Sequence, residues 1–215
     1  MAKLFLANSL RKHADQSSVL LRLLWGLEGG VVWAFAGLSR SLSPDRASAI
    51  GSWVMRMLGP RLDKTRLIRR NLELAFPERS APDIEALVRG IWGNLGAILA
   101  EYPHLGRICH DEAASRLEII RKGDARVFRK GGPPAIFVTA HLANWEIAAG
   151  AVVWQGIPLT GIYTPVQNPH IDRMLYRSRE ALGCGMVMRE GAVRKLVKEL
   201  KSGVSAGLIV DQRVK

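Results

Sequence analysis

Cysteine is nearly missing from these 215 residues: Cys109 and Cys184 are the only two, and neither falls in a C-x-x-C or Cys/His spacing. Neither a disulfide framework nor a structural zinc site organises such a chain, and a reducing, cytosol-facing location fits. Aromatic residues make up only 7%. They form no stacking platform and no recognition motif, so nucleic-acid binding has net charge alone in its favour. Acidic side chains are scarce as well. Against 31 Lys+Arg stand 19 Asp+Glu, a net charge of +12, which selects anionic partners: phosphates, an acidic protein or an anionic membrane. There is no internal repeat or low-complexity stretch. The opening MAKLFLAN is too short an apolar run for a secretory signal, and no small-residue cleavage pattern follows it.

What the chain has in quantity is apolar side chain. With 48% hydrophobic content it can bury the core of one catalytic domain, residues 41–215, behind an N-terminal membrane-associating segment, residues 1–40. Val19–Leu38 has the length of a membrane span but carries Arg22 and Glu28, and a charge near mid-span costs about 2.5–3.5 kcal/mol on insertion scales. Drawn as a helix, it gathers Arg22, Gly26, Gly29, Gly30 and Gly37 on one side. The remainder is apolar and contains Trp, so a spanning, an interfacial and a buried-core helix all stay open.

Ser43-Pro44 reads as an N-cap with proline at the first helical position, opening a helix to about Leu58 that Gly59-Pro60 stops. A second helix, Arg61–Phe76, sets Ile68, Leu72, Ala75 and Phe76 against Arg66, Arg69 and Arg70 on the opposite face. That basic face is either simply solvated or turned to an anionic surface. From Pro82 a longer helix spaces Ile84, Leu87, Val88, Ile91, Leu95, Ile98 and Leu99 as a core face.

After Pro103 short β-type runs alternate with helical ones. Leu117–Ile120, Ile136–Thr139, Leu159–Tyr163, Met186–Met188 and Ala206–Val210 are the strand candidates. Trp145–Gln155, Ile171–Leu182 and Ala192–Lys201 are the intervening helices, the last with Val193, Leu196, Val197 and Leu200 inward. The alternation predicts an α/β layered fold with a mostly parallel sheet, preceded by the N-terminal helices. His141 follows one strand and Asp211 another, at the carboxyl ends where α/β folds place ligands.

The stretch AIFVTAHLANWEI, Ala135–Ile147, concentrates the chemistry. On one continuous helix His141 and Glu146 would stand roughly 140° apart. If the chain instead leaves a strand at His141, turns, and starts a helix with Asn144 as N-cap, Glu146 in the first turn can reach back to the imidazole. That makes a histidine base with a carboxylate behind it. The bland alternative fits the same spacing: Asn144 caps, and Glu146 complements the helix dipole for about 0.3–1 kcal/mol.

Several ordered blocks go further: NLELAFPE at Asn71–Glu78, the helix from Asn94 through Glu101, HLANWE at His141–Glu146, YTPVQNP at Tyr163–Pro169, Arg179, LVKELKSG at Leu196–Gly203, and Asp211-Gln212. With these the chain resembles, from about Leu20 to Lys215, the lipid A biosynthesis lauroyl/myristoyl acyltransferase family of Gram-negative bacteria. The resemblance implies an enzyme of the bacterial inner membrane with its catalytic domain on the cytoplasmic face. Its reaction would move a fatty acyl chain from acyl carrier protein to a hydroxyl of a lipid A precursor, with no cofactor or metal. By position His141 and Glu146 become the catalytic pair, and Asn144, Arg179 and Asp211 the substrate-binding residues. Asp211 would orient Arg179 or the acceptor, and Arg179 or backbone N–H groups near Asn144 would meet the oxyanion. Two departures stand out: Thr164-Pro165 replaces the Arg-Pro usual in the family, and the family continues beyond the Asp-Gln pair, so the chain is expected to be a C-terminally truncated member. The competing readings are acyl transfer to another glycolipid, such as a phosphatidylinositol mannoside, and a basic membrane-surface binding protein without catalysis.

Overall fold

The computed structural model describes residues 18–110, 116–120, 122, 126 and 128–211. The MAKLFLAN opening and Gln212 lie outside these. The chain gathers into two compact units, one of residues 1–35 with 105–215, the other of residues 36–104.

The second unit is helical. Helix α1, Ser18–Arg40, supplies its first residues. Helix α2 is Pro44–Leu58, with Ser43 Oγ accepting from Arg46 N at 3.4 Å and proline in the first turn as expected. A 3-10 turn at Gly59–Arg61 separates it from α3, Thr65–Ala75. The expected start at Arg61 is displaced because Leu62 is extended (ψ 146°). Helix α4, Ala81–Glu101, opens with a Ser80/Asp83 capping box. Helices α2 and α4 touch through glycine: a Cβ on Gly51 would stand 2.4 Å from the Gly96 carbonyl oxygen, so only hydrogen fits there. Ile84, Val88 and Trp92 form the core with Met55, Ile68, Leu72 and Leu95 against them. Trp92 Nε1 donates to Thr65 Oγ1 at 2.9 Å, and that hydroxyl donates to Gly59 O at 2.8 Å.

Two expected core faces are only half used. On α4, Leu87, Ile91 and Leu99 are exposed, as are Ala75 and Phe76 at the end of α3. Arg69 is drawn out of the basic face into an ion pair with Glu85, which raises the guanidinium pKa and lowers the carboxyl, each chiefly through their mutual hydrogen bond.

In the first unit a four-stranded, all-parallel sheet runs in the order β1-β4-β2-β3, with β1 Ile136–Thr139, β2 Leu159–Tyr163, β3 Gly185–Met188 and β4 Ser205–Ile209. The expected strand at Leu117–Ile120 is not one. Residues 116–120 are irregular and make no ladder among the described residues, so their alternating exposure marks a surface segment. The crossovers are α6 Trp145–Trp154, α7 Pro169–Glu180 and α8 Ala192–Lys201, and α5, Leu105–His110, precedes the sheet. Val152 of α6 packs with Ile157, Leu159 and Cys184. Leu196 of α8 packs with Val187 and Ala206 on the other face, giving the double coverage a parallel sheet needs. Val193 and Val197 of α8, expected inward, are 76% and 46% exposed.

Helix α1 is long and apolar enough to cross a membrane. Of the expected glycine side only Gly29 is buried, close against His170. Arg22, Gly26, Gly30 and Gly37 are exposed, whereas Leu24 and Glu28 are buried. Asn168, fully buried, donates from Nδ2 to Trp25 O at 3.0 Å and to Glu28 Oε2 at 3.3 Å. The charge that made a simple span costly is thus spent inside the unit, where a hydrogen-bonded carboxylate is tolerated.

Candidate active site

The site is built from the carboxyl ends of β1, β2 and β4, the first turn of α6 and both ends of α7, all in the first unit. After β1 the backbone makes a tight turn. Leu142 N donates to Ala140 O at 2.7 Å, and Ala143 takes a left-handed conformation (φ 42°), one that an alanine adopts only under local constraint. Asn144 then caps α6, its Oδ1 accepting from Glu146 N at 3.3 Å, as the sequence led us to expect.

The turn presents His141 beside Asp211. Strands β1 and β4 are neighbours in parallel register, Thr139 level with Ile209. Two residues beyond each, the side chains therefore emerge together. Asp211 Oδ2 accepts from His141 N at 2.9 Å, and Oδ1 lies 2.7 Å from the ring Nδ1. Bonding to the imidazole, then to the His141 amide, holds the Asp211 carboxyl below its ordinary pKa. With its proton on Nδ1, facing Asp211, the neutral ring carries its lone pair on Nε2.

Glu146 occupies different surroundings. It is 6% exposed, in the first turn of α6. Arg179, in the last turn of α7, grips it: Nε donates to Oε1 at 3.1 Å and Oε2 at 3.0 Å, and Nη2 to Oε1 at 2.7 Å. Trp145 Nε1 donates to Oε1 at 3.1 Å, while its ring meets the His141 ring edge-on at 4.8 Å between centroids. The sequence expectation placed Glu146 behind the His141 ring and Asp211 toward Arg179. The structure puts Asp211 on His141 and Arg179 on Glu146, because strand order, not chain proximity, decides which carboxylate faces the imidazole.

Three residues absent from the sequence-based set complete the arrangement. Trp145 bridges the two pairs. Tyr163, at the end of β2, lies with its ring 5.7 Å from the Arg179 guanidinium carbon, and its hydroxyl donates to Asp172 Oδ1. Burial, then that carboxylate, raises the phenol well above its ordinary pKa. Asp172 Oδ1 also accepts from Val166 N at 2.8 Å, tying the loop after β2 to α7. The aromatic and acidic character of YTPVQNPHID was visible in sequence; which of its side chains turn toward Arg179 was not.

Among the described residues no three His, Cys, Asp or Glu side chains gather as a metal site would require. Cys109, pushed up to about 11 by burial, and Cys184, also raised by burial, are inert thiols.

The arrangement is a histidine with an orienting carboxylate at the carboxyl edge of a parallel sheet, next to a buried carboxylate–guanidinium pair. Residues 15–215 match the family of bacterial lipid A biosynthesis acyltransferases, and the chain belongs to that family. It is 20% identical over 193 residues to a lipid A biosynthesis acyltransferase of Haemophilus influenzae, covering 87% of this chain and 59% of that protein. It is 27% identical over 180 residues to the lipid A biosynthesis lauroyltransferase of Escherichia coli, covering 81% and 55%. The chain thus spans somewhat over half the length of these curated relatives.

Proposed function

We propose that the protein transfers a fatty acyl chain from acyl carrier protein to a hydroxyl of a lipid A precursor at the cytoplasmic face of the inner membrane, with His141 as general base. The observation that carries this reading is the His141–Asp211 pair, set at the ends of adjacent parallel strands in a chain of this family. An alcohol is a weak nucleophile near neutrality, so Nε2 of His141 takes its proton as the oxygen attacks the thioester carbonyl. The tetrahedral oxyanion collapses and expels the thiolate, which recovers the proton from the imidazolium. Ester and free carrier thiol are the products. Asp211 holds the tautomer and stabilises the transient imidazolium. Glu146 and Arg179 act together as the wall that fixes the start of α6 and, through Trp145, the plane of the His141 ring. Asn144 sets that start by capping. The +12 net charge favours an acidic carrier protein as donor, through electrostatic steering that salt weakens.

The test is lipid mass spectrometry of a strain lacking the gene and complemented with variants, alongside rates with acyl-carrier-protein donor. His141→Ala and Asp211→Asn should each lower transfer by about 10²–10⁴, and the double variant should be little worse than His141→Ala, since residues acting as a unit are not additive. Normal transfer by a folded His141→Ala protein would refute the assignment.

A further inference from the structure

Helix α2 is built inside out. At 100° per residue, Ile50, Trp53 and Met57 fall within about 60° of one another, and they are the side chains turned to solvent, 50%, 66% and 52% exposed. The fully buried positions along the inner face are small, Ala47 and Gly51, with Met55 partly buried against Trp92. A water-facing helix has the reverse pattern. Close packing through small residues, with large apolar residues outward, is the pattern of helices whose outer face meets lipid.

The charges around this ridge are mainly basic, the one acid of the helix being Asp45 in its first turn. Arg46 lies on it a turn before Ile50, Arg56 flanks it, and Arg61 sits just past its end with its guanidinium on Met57 O. Arg56 also lines a cleft with Pro82, Glu85, Ala86 and Arg89. The cleft's carboxylate, Glu85, is already committed to Arg69, so its remaining charge suits a phosphate. Only residues 41–43 separate α1 from α2, so the start of α2 cannot lie more than about 14 Å of extended chain from the end of α1.

From these observations we propose that α2 is a second membrane-contacting element, its Ile50/Trp53/Met57 ridge inserted into the interfacial region of an anionic bilayer and its arginines on lipid phosphates. Trp at the outermost position and flanking arginines are what such an interface selects. The inference rests on the membrane location proposed above, and the experiment separates the two. Met57→Cys in the whole chain takes an environment-sensitive fluorophore selectively, because Cys109 and Cys184 are buried. Vesicles of phosphatidylcholine, with and without phosphatidylglycerol, carry a nitroxide on the lipid. Co-sedimentation reads membrane location, and the label reads the ridge.

The expected result is a blue-shifted label at position 57 that lipid nitroxide quenches. Arg46→Gln and Arg56→Gln should each weaken binding to the phosphatidylglycerol vesicles about fivefold and leave binding to pure phosphatidylcholine almost unchanged. Sedimentation with vesicles while the position 57 label stays in water would overturn the role of α2 and spare the membrane location. A label already shielded without vesicles would mean that protein covers the ridge, and would overturn it too. Failure to sediment at all would sink both.

Discussion

Asp211 and Glu146 carry the same functional group in opposite surroundings, and they should fail in different ways. Asp211 is 38% exposed and bonded to one ring and one amide. Its pKa is depressed in the folded state, so its contribution to stability is present above the ordinary carboxylate value of 3.8 and lost as pH falls through the lower folded value. The melting difference between wild type and Asp211→Ala should therefore be seen at neutral pH and shrink below about pH 4. A difference constant across that window would deny the pair. Glu146 is buried on Arg179, and removing one partner of a buried pair costs about 3–5 kcal/mol because the other is left uncompensated. Glu146→Gln should accordingly lower the unfolding free energy by that order in denaturant melts, whereas a dipole-only role would cost at most about 1 kcal/mol. Catalytic loss in Glu146→Gln must be read against its stability, whereas Asp211→Asn should lose rate in a folded protein.

Among the elements, α7 couples parts of the first unit that are far apart in sequence. Its cap, Asn168, accepts from His170 N at 3.0 Å and Ile171 N at 3.5 Å while donating to Trp25 O and Glu28 of α1. Its first turn carries Asp172 and its last turn Arg179. A cap usually contributes about 0.5–2 kcal/mol, and here the same amide also serves buried acceptors whose loss costs about 1–3 kcal/mol. Asn168→Ala should thus cost more than Ser43→Ala at the exposed cap of α2, both measured by denaturant unfolding. Equal costs would show that the α1 contacts contribute nothing. The caps themselves were readable: Ser43-Pro44 and Asn144 start helices where the sequence said. The start of α7 fell at Pro169 instead of Ile171 because Asn168-Pro169 is the stronger opening signal, cap followed by proline at N1.

For the molecule as a whole, the sequence set residues 1–40 apart as a membrane-associating segment, with a spanning, an interfacial and a buried-core helix all open. In the structure α1 buries Glu28 against Asn168 of the first unit. Removing residues 1–40 should therefore do two things: reduce recovery with membranes, and lower the melting temperature of what is released by several degrees, since a buried capping partner goes with it. Release with an unchanged melting temperature would return α1 to the status of a simple anchor.

The sequence by itself determined the layered α/β class, the helix starts at Ser43-Pro44 and Asn144, and the placement of His141 and Asp211 beyond strand ends. Those follow from local rules: periodicity, capping and the direction of parallel strands. Only the tertiary structure decided that β4 lies between β1 and β2, which brings Asp211, 70 residues away in the chain, onto the ring of His141. It also decided that Arg179 closes on Glu146 and that Glu28 is buried under Asn168. Strand order and helix docking are settled by which apolar faces bury one another over long separations. Chain spacing carries no record of that, so the carboxylate five residues from His141 in sequence is not the one that bonds its Nδ1.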